Sequence, residues 1–145
     1  STAPRHSYAM VCSSNMNRSM EAHKLLQGHG MRVTSFGIGT TVRMPGTTAA
    51  EHNIYPFGTP YEDILRDLTS RNEAYYRGKG LLAMLERNLK IKRAPERWQD
   101  RPSVGDIDIV FCFQERVYEA VVEDLECRDP VDASPIHVVN MDVVD

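Results

Sequence analysis

The stretch Tyr8-Ala-Met-Val-Cys-Ser-Ser-Asn-Met-Asn-Arg-Ser19 joins an apolar run, a short polar loop and the start of a helical pattern. Tyr8 to Val11 predicts a buried β-strand, and Met20 to Leu26 predicts a helix. In a loop between a strand and a helix, successive backbone N–H groups can turn inward, and the helix N-terminus adds its positive end. The stretch therefore predicts an anion-binding loop at the end of the first strand.

Two side chains give this loop its chemistry. Cys12 ends the strand and Arg18 follows six positions later, a Cys-x5-Arg spacing that is informative because a strand precedes it and a helix follows. The loop amides, the helix N-terminus and Arg18 all favour the thiolate of Cys12 over the thiol, which makes it a candidate nucleophile. The planar guanidinium of Arg18 is suited to hold two phosphoryl oxygens.

Neighbouring residues support this interpretation. Asn15 tolerates left-handed backbone geometry and can hydrogen-bond its own turn. Ser19 is predicted to cap the helix and to offer its hydroxyl to the Cys12 sulfur. His23 lies one helical turn further and is interpreted as structural, because Arg18 and the loop amides already supply a positive field.

Strand and helix patterns alternate along the rest of the chain. Further strands are predicted at Val33 to Phe36, Ile107 to Phe113 and Ile136 to Met141, and a helix at Glu115 to Glu126. This alternation predicts an α/β fold in which a central parallel sheet carries helices on both faces, giving three layers, α/β/α. Right-handed crossovers place Cys12 at the carboxyl edge of the sheet, where open α/β sheets bind ligands.

Residues 40–101 form a long insertion between the sheet units. Turns are predicted at Met44 to Gly46 and Phe57 to Pro60, and helices at Tyr61 to Leu68 and Gly80 to Leu89. Insertions at the ligand end of a sheet commonly set specificity, so we expect this region to form a lid over the loop. The alternative is a structural subdomain without substrate contact.

The end of this insertion is basic. Residues 87–101 contain six Arg and Lys side chains around Trp98, against Glu96 and Asp100. This pattern is typical of a solvated basic face, and contact with a phosphorylated ligand is the alternative.

Composition bounds the functional class. With 145 residues, 41% of them hydrophobic, the chain fits one domain over residues 1–145, and no apolar run is long enough to cross a membrane. A net charge of −3 argues against a general binder of polyanions. The three cysteines match no zinc spacing, and no metal or cofactor is predicted. A thiolate nucleophile requires a reducing compartment, so we expect the cytosol or the nucleus.

A cysteinyl-phosphate mechanism also requires an acid to protonate the leaving alkoxide and a base to activate water. The segment Asn140 to Asp145 follows a predicted strand, which makes Asp142 and Asp145 the candidates. Spacing alone does not choose between them. Cys112 is expected to be a buried small hydrophobe, and Cys127 ends a helix without an evident partner.

Further motifs run through nearly the whole chain: Cys12 to His23, Val42 to Gly46, Gly80 to Asn88 downstream of Tyr61, Pro95 to Asp100, Glu115 to Tyr118 and His137 to Asp142. Together they resemble the Ssu72 (suppressor of sua) family of RNA polymerase II carboxy-terminal-domain phosphatases. The loop followed by Met-Glu-Ala-His is specific to that family. The more distant low-molecular-weight tyrosine phosphatases share only Cys12, Asn15, Arg18 and Ser19.

The resemblance implies a core like that of the low-molecular-weight tyrosine phosphatases and a metal-independent activity on the polymerase tail. The substrate would be the phosphoserine at the fifth heptad position, with the following proline in the cis form. Cys12 would be the nucleophile, Arg18 would bind the phosphoryl group and Asp145 would be the general acid. The substrate-binding residues would be Ser13, Ser14, Asn15, Met16, Asn17 and Ser19 around the phosphate, Pro45 and Met84 against the proline, and Arg43 near the peptide.

Family members continue well beyond residue 145, so we expect the chain to be a fragment or a truncated paralogue. The resemblance also implies a nuclear location, with the cytoplasm second. A scaffold of the mRNA 3′-end processing complex would be a partner, with no direct contact to nucleic acid or membrane. Three alternatives stay open: an arsenate reductase that uses Cys112 and Cys127, a phosphoserine-proline binding module without turnover, and a tyrosine phosphatase.

Overall fold

The computed structural model describes residues 5–129 and 135–143. In chain order its elements are β1 (Ser7–Cys12), α1 (Arg18–Gly28), β2 (Arg32–Gly37), β3 (Val42–Pro45), β4 (His52–Tyr55), α2 (Tyr61–Gly78), α3 (Leu81–Leu89), a 3₁₀ turn (Trp98–Asp100), β5 (Ile109–Cys112), α4 (Glu115–Cys127) and β6 (His137–Asn140). The strands predicted around residues 107–113 and 136–141 are present and are one or two residues shorter at each end.

The central sheet has four parallel strands in the order β2-β1-β5-β6. β1 lies in the middle of the sheet, and its last residue, Cys12, pairs with Gly37 at the end of β2. The predicted parallel sheet is confirmed, and Cys12 lies at its carboxyl edge. This edge is where parallel α/β sheets bind ligands.

Helices cover both faces of this sheet. Successive residues of a strand point to opposite faces, and Ser35 and Phe36 of β2 show where each helix lies. Phe36 packs edge-on against Trp98, with ring centroids 5.4 Å apart, in a cluster that includes the buried residues of α4. Ser35 Oγ lies 2.8 Å from His23 Nδ1 and 3.2 Å from Met20 Sδ, both on α1. Because α1 and α4 occupy opposite faces, the predicted three-layer α/β/α arrangement is confirmed.

The insertion contains a β-hairpin that the sequence did not predict. β3 and β4 pair antiparallel, with Val42 opposite Tyr55 and Pro45 opposite His52. The turn predicted at Met44 to Gly46 is therefore wrong, because buried and exposed residues alternate through Pro45 as in a strand. The backbone bends further along, over residues 47–50.

The two helices of the insertion, α2 and α3, pack against each other and contact the loop that follows β1. α2 is ten residues longer than predicted and is kinked at Asn72, where φ is −167° and ψ is 83°. The insertion has its own hydrophobic cluster, and Met16 of the loop and Met20 of α1 belong to it. The other buried members are Val42, Met44, Tyr61, Ile64, Leu68, Tyr76, Leu82 and Leu85. The role of this region as a lid stays a prediction.

Among the described residues, no helix is long and apolar enough to span a bilayer.

Candidate active site

Cys12 lies at the end of β1, directly before the loop of residues 13–17, and is 3% exposed. Its Sγ lies 3.0 Å from Ser19 Oγ on the first turn of α1. Asn15 Nδ2 donates a hydrogen bond of 2.9 Å to the same Ser19 oxygen. The predicted contact between the Ser19 hydroxyl and the Cys12 sulfur is confirmed. Because Ser19 Oγ accepts from Asn15, its own hydrogen is available to a thiolate at Cys12.

Asn15 holds the loop in an unusual backbone conformation. Its φ of 56° is in the left-handed region, as predicted, and it is the one non-glycine residue with positive φ in the described ranges 5–129 and 135–143. The fully buried side chain also accepts a 3.0 Å hydrogen bond from the Glu96 amide. The prediction that Ser19 caps α1 is wrong, because the N-cap position is Asn17 and the Ser19 hydroxyl is engaged with Cys12 and Asn15.

The end of β2 approaches the loop very closely at Gly37. A Cβ atom at this position would lie 2.7 Å from the Ser13 carbonyl oxygen and 2.9 Å from the Asn15 amide nitrogen. Only glycine fits such an approach. Gly39 is also close, and its amide donates to the Ser13 oxygen at 3.0 Å. Sequence reasoning missed these residues, although two glycines directly after a strand beside the loop are a recognisable signal.

Arg18 is the first residue of α1 and is half-buried. Its Nη1 donates a 3.2 Å hydrogen bond to Gln114 Oε1, at the residue that precedes α4. A second arginine reaches the loop from α4, where Arg116 Nη2 donates a hydrogen bond of 3.2 Å to Ser13 Oγ. Gln114, directly before α4, and Arg116, in its first turn, thus bring polar side chains to both ends of the loop. Gln114 and Arg116 carried no signal in the sequence that pointed to the loop.

Arg43 and Pro45 lie on the exposed face of β3, opposite the buried Val42 and Met44. The Arg43 amide donates a 3.3 Å hydrogen bond to Ser14 Oγ, so this strand lies beside the loop. Met84 lies elsewhere in the insertion, on α3, where it is half-buried against the insertion's hydrophobic cluster. The structure thus brings the backbone of Arg43 next to Ser14 of the loop, with Pro45 on the same face of the strand.

The two candidate acids follow β6. Asp142 is exposed, and its Oδ1 accepts a 3.1 Å hydrogen bond from Asn140 Nδ2. Asp145 lies outside the described residues. The amides of Met141 and Val143 donate to the carbonyls of Cys112 and Phe113, at 2.8 and 3.0 Å. The chain therefore runs along the end of β5 and stays at the carboxyl edge of the sheet.

The basic residues of the segment 87–101 mostly bind groups of the protein itself. Lys92 Nζ donates to the Ser35 carbonyl and pairs with Glu96, both at 2.8 Å. The Arg97 Nε donates to the Gly39 carbonyl at 2.7 Å. The prediction of a solvated basic face is therefore wrong for Lys92 and Arg97, whose side chains are only 15% and 25% exposed. Burial lowers the pKa of Lys92.

His23 is a buried structural residue, as the sequence suggested. It is 6% exposed and hydrogen-bonds Ser35 Oγ through Nδ1. Burial lowers its pKa to about 4, and the nearby positive charge of Lys92 contributes to this lowering of the pKa. His23 is therefore neutral near pH 7.

The remaining cysteines do not converge on Cys12. Cys112 is fully buried in the cluster that contains Val11, its register partner on β1. Because alternate strand residues point to opposite faces, Cys112 and Cys12 lie on opposite sides of the sheet. Burial raises the pKa of Cys112 to about 12, and Cys127 is exposed at the end of α4. This arrangement speaks against an arsenate reductase. Across the described ranges, no cluster of three His, Cys, Asp or Glu side chains is placed to hold a metal ion.

A parallel three-layer α/β fold with a Cys-x5-Arg loop at the end of its first strand defines a protein of the cysteine-phosphatase type. The chain matches the family model described as Ssu72-like protein over residues 6–145. It therefore belongs to the Ssu72 family.

Individual relatives agree with this placement. The RNA polymerase II C-terminal domain phosphatase SSU72 of Candida glabrata is 46% identical over 138 residues, which span 95% of this chain and 67% of the relative. A crystal structure of a serine phosphatase of the RNA polymerase II C-terminal domain from Drosophila melanogaster has a TM-score of 0.92 at 50% identity, covering 96% of this chain and 72% of the other. A D. melanogaster Ssu72 bound to Symplekin and to a cis peptidomimetic phosphoserine peptide of the C-terminal domain has a TM-score of 0.91 at 48% identity, covering 97% and 72%.

Proposed function

We propose that this protein is a protein serine phosphatase that hydrolyses phosphoserine in the C-terminal domain of RNA polymerase II through a cysteinyl-phosphate intermediate. The observation that carries the proposal is the contact between Cys12 and Ser19 within a strand-loop-helix unit that places Arg18 at the sheet edge. Family membership and relatives that are themselves such phosphatases support the substrate class.

In the first step, the Cys12 thiolate attacks phosphorus in line with the bond to the serine oxygen. A sulfur–phosphorus bond forms and the phosphorus–oxygen bond breaks, while Arg18 and the loop amides stabilise the equatorial oxygens. Asp145 is the proposed acid that protonates the departing serine oxygen, by resemblance to the family; Asp142 is the alternative on the same segment. The acid provides most help with an alkyl ester, because an alkoxide is a poor leaving group.

In the second step, water attacks the phosphocysteine and the carboxylate of the same acid takes its proton. The sulfur–phosphorus bond breaks, inorganic phosphate leaves and Cys12 returns as a thiolate. The Ser19 hydroxyl, 3.0 Å from Sγ, is placed to donate a hydrogen bond to the leaving thiolate. We propose that this contact assists both formation and release of the sulfur nucleophile.

The peptide would lie against the exposed face of β3. Arg43 is proposed to attract the acidic phosphopeptide, and Pro45 and Met84 to form the wall against the proline that follows the phosphoserine. A relative binds a cis peptidomimetic of the polymerase tail, and we propose the same cis preference here. Free X–Pro bonds are cis in only about 10–30% of molecules, so isomerisation would limit the supply of substrate.

Residues 40–101 are proposed to set this specificity as a lid belonging to the single phosphatase domain. A relative is bound to Symplekin, and we propose that this chain likewise binds a scaffold of the mRNA 3′-end processing complex. Its substrate would place it in the nucleus. No metal or cofactor is required for the proposed steps.

The test is phosphate release from a heptad peptide carrying phosphoserine at position five, measured without added metal. The Cys12→Ser variant should lose release from both this peptide and an aryl phosphate. Cys127→Ser is the matched control, because this cysteine is exposed at the far end of α4. Turnover retained by Cys12→Ser would contradict the mechanism. Peptide binding without release would identify a binding module, and a preference for phosphotyrosine peptides would identify a tyrosine phosphatase.

A further inference from the structure

The loop after Cys12 directs its backbone carbonyl oxygens to two different parts of the protein. In its first half, the Ile38 amide donates to the carbonyls of Cys12 and Ser13, at 3.0 and 3.1 Å, and the Gly39 amide also binds the Ser13 carbonyl. These donors are backbone groups that directly follow β2. The sheet therefore fixes the first half of the loop.

In the second half of the loop, the donors are side chains of the insertion. The Tyr61 hydroxyl, on the first residue of α2, donates to the Asn15 carbonyl at 2.6 Å. Asn88 Nδ2, near the end of α3, donates to the Met16 carbonyl at 2.8 Å. Arg87 Nη2 reaches the same Met16 oxygen at 3.0 Å. The Tyr61 and Asn88 donors lie 46 and 72 positions away from their acceptors along the chain.

A hydrogen bond that fixes the direction of a carbonyl group also fixes the direction of the amide that follows it. Within one trans peptide plane, the C=O of one residue and the N–H of the next point in opposite directions. The bond from Tyr61 to the Asn15 carbonyl therefore orients the Met16 amide, and the bond from Asn88 to the Met16 carbonyl orients the Asn17 amide. If either plane flipped, a carbonyl oxygen would face the anion and an amide donor would be lost.

The loop gains from this support because Asn15, in its middle, has a left-handed backbone with a φ of 56°. Asparagine tolerates this geometry but does not enforce it, so other loop conformations compete with the observed one. Tyr61 and Asn88 are both fully buried, so packing holds their side chains in place and their hydrogen bonds oppose these other loop conformations. Arg87 donates through Nε to Asn88 Oδ1 at 3.1 Å and pairs with Glu21 of α1. The three side chains are thus held by contacts within the protein.

We propose that Tyr61 and Asn88, assisted by Arg87, are positioning residues that hold the Met16 and Asn17 amides toward a bound phosphoryl group. This inference rests on the proposed function only in taking a phosphoryl oxyanion as the ligand. The insertion then acts on the reaction through the loop backbone, in addition to any contact with the peptide.

The test uses two matched tyrosine substitutions on α2. Tyr61→Phe removes only the hydroxyl that binds the loop. Tyr76→Phe removes another buried hydroxyl, which accepts a 2.9 Å hydrogen bond from Asn53 on β4. The readout is the concentration of inorganic phosphate that half-protects Cys12 from alkylation, measured by mass spectrometry. It should rise about 3- to 10-fold in Tyr61→Phe and less than about twofold in Tyr76→Phe.

A second pair of variants tests the Arg87 contact. Arg87→Met should raise the half-protecting phosphate concentration about 2- to 5-fold. Arg77→Met is its control, because Arg77 pairs with Glu86 between α2 and α3. An unchanged concentration in Tyr61→Phe would overturn the proposal, and so would an equal rise in both tyrosine variants. Turnover of an aryl phosphate in the same samples reports separately on the proposed function, since phosphate protection without turnover would contradict the phosphatase alone.

Discussion

Asn15 Nδ2 donates a 2.9 Å hydrogen bond to Ser19 Oγ, and this bond determines where the Ser19 hydrogen points. Because the oxygen accepts from Asn15, the hydroxyl hydrogen is available to the sulfur of Cys12, 3.0 Å away, when Cys12 is a thiolate. Such a donor stabilises a thiolate both when it attacks and when it leaves. The Asn15 side chain thus acts on Cys12, the proposed nucleophile, through Ser19.

Ser19→Ala should therefore lower kcat for the phosphoserine peptide by about 10- to 100-fold and change KM little, because the lost donor acts on the reacting sulfur. Steady-state kinetics on the peptide measures both constants. Ser70→Ala is the control, since the Ser70 hydroxyl is exposed on α2 and donates to the Asp67 carbonyl, away from the loop. A rise in KM with kcat unchanged in Ser19→Ala would contradict the proposed role.

Gly37→Ala should destabilise the protein by about 1–3 kcal/mol and weaken phosphate binding, because the added Cβ would overlap the Ser13 carbonyl and the Asn15 amide. These two contacts are to backbone, which cannot move aside as a side chain can, and the Phe57 ring is a third contact at 2.9 Å. Urea unfolding measures the loss. Gly78→Ala is the matched control, since nothing lies within 4 Å of its added Cβ, and it should be neutral or slightly stabilising. Equal urea midpoints for the two variants would show that the loop backbone shifts to accommodate the added Cβ at residue 37.

The parts of the site that the sequence predicted are local in the chain. The strand, the loop, the helix and the left-handed Asn15 all lie in one short stretch, where periodicity and single-residue preferences apply. The contacts that sequence reasoning missed are long-range, such as the bond from Tyr61 to the Asn15 carbonyl. Helical periodicity marks Tyr61 as buried but does not say what its hydroxyl binds. The β3-β4 hairpin was missed because Met44-Pro-Gly46 contains the residues of a turn.

Arg43→Ala should raise KM for the phosphopeptide about 3- to 10-fold and leave kcat and aryl phosphate turnover nearly unchanged. Arg43 lies beside Ser14 on the exposed face of β3, where its charge can attract the peptide without touching the reacting atoms. The effect should shrink as salt is added, because exposed charges are screened. Arg66→Ala, which removes an exposed charge paired with Glu62 on α2, is the control. An equal effect in the control would show that only net charge matters.

His23 should make the stability of the protein depend on pH in mild acid. Its pKa is about 4 in the folded state and 6.5 ordinarily, so above pH 6.5 it is neutral whether the chain is folded or not. Between pH 6.5 and about 4, the unfolded chain binds a proton that the folded protein excludes, so stability falls as the pH falls. The full shift corresponds to about 3 kcal/mol, of which about 2 kcal/mol is lost between pH 7 and pH 5.

The measurement is the urea midpoint at pH 7 and pH 5, compared between the unaltered protein and His23→Gln. The glutamine side chain can still donate to Ser35 and has no titrating group, so its midpoint should change less over this range. Lys92 and Glu96 are the charged groups that act on His23, and they act in opposite directions. Asp67, whose pKa is lowered mainly by the Tyr55 hydroxyl, loses its contribution only below its ordinary value of 3.8 and does not affect this window. If the urea midpoint fell equally in both proteins between pH 7 and pH 5, His23 would take up its proton in the folded protein as it does in the unfolded chain, and its pKa would not be lowered.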